Sequence, residues 1–298
     1  MMYKYKTKDI ATCMSGRRVL FAGDSVTRQL YFAFAHLTDS SLPSAPANDD
    51  RKHADHVLHS GASGLDIEFL WDPFLNSSRL AGMLDDRPLP ADSRKPSLLV
   101  LGSGLWYLRY SSESGGLPAW ESKIDTVFGS IQKRMPSLAD RVVFLPVERP
   151  VAEKLSPERA ATIHEADVDA MNSDLLHRVE GGGASSFFGP PPYKTYPIAV
   201  PSVFNQMLQA DQTKDGLHYS GAVVGQHANL LLNFRCNEHL PKRYPFDKTC
   251  CNSYPQTPWL QMLLLVLVIA IGPLCKFGGP YLSELPRGRG GLSLITQA

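Results

Sequence analysis

The 298-residue chain has almost no charge imbalance, with 30 Lys plus Arg against 29 Asp plus Glu. That balance argues against the basic surface stripe on which nucleic-acid affinity depends, so no nucleic-acid partner is expected. No repeat of fixed period occurs, which excludes solenoids and propellers. A Gly-rich phosphate loop of Walker or dinucleotide type is also missing, so nucleotide-dependent chemistry and a bound cofactor are not expected. The opening MMYKYKTKDI is followed by no apolar core of the kind a signal peptide carries. Cysteines are few: Cys13, Cys236, Cys250, Cys251 and Cys275. None has zinc spacing, and the four outside the last apolar segment allow three pairings into two disulfides or none at all.

What is present reads as a globular α/β protein, with 43% hydrophobic and 20% charged residues. Short apolar runs at residues 19–22, 67–70, 98–101 and 142–145 are bounded by turn or charged residues and read as buried strands. Helical periodicity follows the first run, where Val26, Leu30, Phe34 and Leu37 share one face. Residues 118–135 place Trp120, Ile124, Val127 or Phe128, and Ile131 together, and residues 221–235 form a last helix. Ser156-Pro157 opens another, carrying Ile163, Val168, Met171 and Leu175. Alternating strand and helix predicts a three-layer sandwich around a central parallel sheet. Residues 181–192, rich in Gly and Pro, predict a surface loop.

Three segments are expected: a domain over residues 1–252, a membrane-spanning helix over 259–275, and a disordered tail over 276–298. The span is short, but residues 262–270 present no polar face to water. Its orientation stays open, because basic residues flank both ends.

The chemistry-bearing residues lie at the two ends of the domain. Ser25 follows a buried strand and opens a helix, where the positive helix N-terminus stabilises a developing oxyanion. Asp215 and His218, three residues apart, supply a carboxylate and an imidazole, the orienter and base that a nucleophilic serine needs. Each alone is more ordinarily a helix cap or a solvated turn.

The blocks RRVLFAGDSVTRQLYF, LGSGLW, DGLHYS and LLNFRCN together resemble the SGNH (GDSL-like) superfamily, and within it the luminal domain of the Cas1p-type polysaccharide and sialate O-acetyltransferases. The resemblance covers roughly the first 250 residues. It implies acetyl transfer to a glycan hydroxyl through an acetyl-serine, with Ser25 as nucleophile, His218 as base and Asp215 as orienting carboxylate. It also implies acetyl-CoA as ultimate donor and a luminal domain in the Golgi or secretory pathway. The superfamily's oxyanion asparagine has no counterpart in the LGSGLW block, so Gly102, Gly104, Arg28 and Trp106 are the candidates for oxyanion or substrate contacts. Relatives carry a polytopic acyltransferase region after this domain. Here one apolar segment follows, so a truncated form or an incomplete gene model is expected, with that region as a missing partner. An esterase with the same three residues and a non-catalytic glycan-binding domain are the rival readings.

His53, His56 and His59 are spaced as on one helix face, but no Cys or Glu completes a metal site and no metal is expected. Trp71 and Trp106 follow predicted strands, where they either stack on sugar rings or pack in the core. Glu148 and Arg149 line the same crevice or form a surface pair.

Overall fold

The structure, a computed structural model, describes residues 3–46, 52–85, 94–134, 138–180 and 198–237. Along the chain α1 (Thr7–Met14) precedes β1 (Arg18–Gly23) and α2 (Ser25–Thr38), and β2 (His56–Ser60), β3 (Leu65–Trp71) and α3 (Ser78–Leu84) follow. Next come β4 (Leu98–Gly102), two short helices α4 (Leu105–Arg109) and α5 (Ser111–Ser114), and the long α6 (Gly116–Arg134). β5 (Val142–Phe144), α7 (Pro157–Ala160), α8 (Glu165–Glu180), β6 (Ile198–Ala199), α9 (Val203–Gln206) and α10 (Gly221–Cys236) complete the order.

The strands form one sheet in the order β2-β3-β1-β4-β5-β6. Pairing is parallel from β3 through β6, while β2 runs antiparallel to β3 at the edge. Alternation along β1 sorts its side chains between two cores. Val19 and Phe21 join Leu30, Phe34 and Leu231 on one face, and Leu20 and Ala22 join Trp120 and Ile124 on the other. Each large apolar side chain buried in these layers contributes about 2 kcal/mol, so helices on both faces are needed to cover the sheet.

The sheet departs from the wholly parallel one the sequence predicts. Residues 56–60 alternate between half-exposed and exposed positions until Ser60, so they carry no apolar run by which an edge strand announces itself. They also place His56 and His59 on opposite faces, which ends the shared helix face. His56 lies against Tyr31, Phe32 and Phe69, and His59 bonds Asp66. β6 is two residues long, too short to read. The helix expected from Ser156 is two helices, because the Arg159 carbonyl accepts from both Thr162 and Ile163 and closes the first one, and Ile163 turns into the core.

No helix among the described residues is long and apolar enough to cross a membrane. The predicted segments 259–275 and 276–298, the loop 181–192, and Cys250, Cys251 and Cys275 lie outside the described residues. Of the cysteines that the sequence left unassigned, Cys13 and Cys236 form a disulfide joining α1 to α10.

The parallel strands leave β1 in both directions, β3 on one side and β4 on the other, so the crevice at their carboxyl ends is a switch point. Trp71, Gly23 and Gly102 lie level there. A Cβ on Gly23 collides with the Gly102 carbonyl and with Thr27. Gly23→Ala is therefore expected to cost about 1–3 kcal/mol and to shift the turn that follows. A thermal melt and an acetyl-ester assay check this, with turnover falling at least about 10-fold through the moved Ser25.

Candidate active site

Ser25 is the first residue of α2, and Asp24 is its N-cap. The buried Asp24 carboxylate accepts from the Val26 and Thr27 N–H groups at 3.0 and 3.3 Å. Burial pushes the Asp24 carboxyl up, partly offset by those N–H groups. Local hydrogen bonding by Asp24 thus starts the helix and leaves the serine side chain free to point elsewhere.

The second half of the site is a turn. Gly216 has φ +79°, and a Cβ there would lie 2.7 Å from the Val151 carbonyl. Asp215 Oδ1 accepts from the N–H groups of Leu217 at 3.1 Å and His218 at 2.8 Å, which folds the segment back on itself. Its Oδ2 then sits 2.7 Å from His218 Nδ1. His218 Nε2 lies 2.8 Å from Ser25 Oγ, across 193 residues of sequence. Burial pushes the Asp215 carboxyl up, but the N–H and ring of His218 outweigh it and hold the carboxyl well below the usual range. An ionised carboxylate at Nδ1 keeps the proton there and leaves Nε2 to accept one from a hydroxyl.

Two further side chains fix this arrangement, and neither carries a local signal in the sequence. Arg159 on α7 donates to Asp215 Oδ2 at 3.0 Å, made possible by the early end of that helix. Gln29, one helical turn past Ser25, donates to the Tyr219 carbonyl at 2.6 Å and straps α2 to the His218 turn.

Two cavities meet at Ser25, His218 and Arg28. One, about 840 Å³, is walled also by Lys6, Leu37 and Val224. The other, about 160 Å³, is walled by Trp71, Trp106 and Arg159. Arg28 stands over the Trp71 ring at 5.5 Å, and its Nε and Nη1 are buried without a partner among the described residues. Burial lowers the Arg28 pKa, against the opposing charge of Asp24. Trp71 also stacks on His53 at 4.5 Å, and Trp106 packs edge-on against Trp71, His53 and Phe74. These indoles line the cavity from within an aromatic cluster.

Neither glycine lines the two cavities that meet at Ser25. Gly102 lines a separate small cavity with Asp24 and Glu148, and Gly104 is pressed against Val147 and Met171. From that segment Leu105 and Trp106 share a cavity with Ser25. Arg149 pairs with Asp169 on the surface, while Glu148 is buried, so the two do not form the surface pair considered from sequence. Among the described residues no group of three or more His, Cys, Asp and Glu is placed to hold a metal ion.

No protein-family model matches the chain. A zebrafish (Danio rerio) protein named N-acetylneuraminate (7)9-O-acetyltransferase is 23% identical over 271 residues, covering 90% of this chain and 32% of its own length. The chain thus spans about a third of that relative. Among solved structures, a variant of a Geobacillus acetyl-xylooligosaccharide esterase superposes with TM-score 0.43 at 14% identity, over 78% of this chain and 100% of that one. A family 3 carbohydrate esterase from Talaromyces cellulolyticus gives 0.39 at 13%, over 72% and 94%. At these scores the fold assignment rests on the sheet order and the two helical layers themselves. Along 90% of its length this chain is thus similar to part of a sialate O-acetyltransferase.

Proposed function

We propose that the chain transfers acetyl groups to a glycan hydroxyl by double displacement. The hydrogen-bonded line from Asp215 through His218 to Ser25 carries this reading. Ser25 Oγ gives its proton to His218 Nε2 and attacks the acetyl carbonyl. The donor's leaving group takes that proton, and an acetyl-serine remains. A sugar hydroxyl then loses its proton to His218 and attacks the ester, and Oγ recovers the proton as it departs. Asp215 stabilises the imidazolium formed in each half.

The name of the zebrafish relative, an N-acetylneuraminate O-acetyltransferase, supports acetyl transfer to a sialate-like acceptor. Arg28, with two buried and unpartnered nitrogens, and the aromatic wall are the surfaces that meet the glycan. Acetyl-CoA is the ultimate acetyl source in this reading, reached through a polytopic acyltransferase region or protein that acts as partner to this domain. The Cys13–Cys236 disulfide supports a luminal, secretory-pathway setting, since such bonds persist in oxidising compartments. The apolar segment 259–275 supports membrane attachment.

One observation favours hydrolysis as a second reading: the His218 side chain is 33% exposed, so water reaches the base. Product analysis separates the two. With an activated acetyl donor and an acidic or neutral oligosaccharide, acetylated glycan is expected, together with a transient acetyl group on Ser25 by mass spectrometry. Free acetate as the sole product assigns the hydrolase, and no Ser25-linked acetyl group in either case overturns covalent catalysis.

A further inference from the structure

One buried group that shares a cavity with the Asp24 cap is not used by the proposed reaction. Glu148 follows β5 and is 7% exposed. With Asp24, Thr27, Gly102 and Ser103 it lines a cavity of about 20 Å³, room for roughly one water molecule. Its Oε2 has no hydrogen-bond partner among the described residues. Its Oε1 is 3.9 Å from Nδ1 of His227, itself 1% exposed, stacked at 4.1 Å on Phe204, and with Nε2 unpartnered.

Two buried carboxyl groups lining one small cavity do not readily both ionise. The asymmetry between them decides where the proton goes. Asp24 receives two N–H bonds and sits at the positive end of α2, which favours its charge, whereas Glu148 receives neither. We propose that Glu148 is a positioning residue: it stays protonated beside the buried Asp24 carboxylate, and its neutrality keeps the turn presenting Ser25 in place. The inference rests on the proposed serine chemistry for its activity readout alone.

Burial and the Asp24 charge push the Glu148 carboxyl up to about 8. Burial lowers His227 to about 4, so it supplies no compensating positive charge near neutrality. The other titratable groups around the pair are His218 and Arg28, which act on Asp24, and Tyr219, whose hydroxyl donates to the Arg149 carbonyl. The Arg149 guanidinium itself is committed to Asp169. Ionising Glu148 therefore places a second negative charge beside Asp24, and the cap is expected to shift.

The sign of the stability effect follows. Between the ordinary value of about 4.5 and about 8 the folded protein keeps a proton that the unfolded chain has released, so stability falls as pH rises through that window and levels off above it. Hydrolysis of p-nitrophenyl acetate, corrected for the Ser25→Ala background, is measured from pH 6 to 10 for the wild type and Glu148→Gln. The wild type is expected to lose about 10-fold in kcat/KM between pH 7 and pH 9, as one titration near pH 8 requires. Glu148→Gln, a neutral isostere of the protonated acid, is expected to lose less than about 2-fold over that range, with a melting temperature that varies less between pH 5 and 8. An identical alkaline limb in both proteins overturns the proposal. Infrared titration of the wild type needs no variant: a protonated-carboxyl band that persists at pH 7 and disappears above pH 8 supports it, and absence of that band at pH 7 overturns it. If no Ser25-dependent turnover exists at any pH, the serine reading fails, while the melting and infrared measurements still decide the state of Glu148.

Discussion

Ser25→Ala is expected to lower acetyl-ester turnover by about 10,000-fold or more while leaving the melting temperature nearly unchanged. The two effects separate because the structure divides two tasks between neighbouring residues. Asp24 caps α2 and Ser25 does not, so removing the serine hydroxyl takes no bond from the helix. A half-buried hydroxyl that caps nothing contributes little to stability, within about 0.5 kcal/mol. The hydroxyl's recorded partner is His218 Nε2, and without a nucleophile at that point the imidazole has no covalent step to assist. Residual turnover then measures what binding and the helix N-terminus accomplish alone. Steady-state kinetics with a calorimetric melt on the same preparation checks both halves. Retained turnover assigns the domain to glycan binding, and lost turnover with a collapsed melt identifies a folding defect instead.

The second large effect concerns the Cys13–Cys236 bond. The two cysteines are separated by 223 residues, so the cross-link closes most of the domain into one loop. In the chain-entropy account this stabilises by about 5 kcal/mol, because the cut chain gains conformational freedom chiefly when unfolded. For a domain of this size that corresponds to a fall in melting temperature of roughly 10–20 °C for Cys13→Ser with Cys236→Ser. Both cysteines are buried, so reductant alone is expected to act slowly. A functional consequence follows from position: Tyr5, Lys6 and Thr7, just before or opening α1, wall the large cavity beside Ser25. Loosening α1 from α10 is therefore expected to raise KM for any substrate held there more than it lowers kcat. Melting curves with and without the bond, and kinetics below both transitions, check the pair of effects; equal melting temperatures with the bond verified open would remove its structural role.

Much of this architecture is legible locally. β1, its turn and α2 announce themselves because a buried strand, a capping residue and a 3.6-residue apolar period are short-range features of adjacent side chains. The same holds for α6 and α10, whose apolar faces end within a residue or two of the observed boundaries. Asp215 and His218 are legible as a pair because three residues and one Asx turn suffice to join them.

What adjacency does not encode was settled by the sheet. The order β3-β1-β4 brings the carboxyl end of β1 into a crevice, and packing of α10 against α2 carries the His218 turn to it. The choice of Cys236 as partner for Cys13, the reach of Arg159 to Asp215 and the burial of Glu148 arise the same way. Each depends on where a distant element packs, and that is set by burying two apolar layers against one sheet rather than by the residues on either side. The primary structure names the candidate groups; their distances are a property of the closed core.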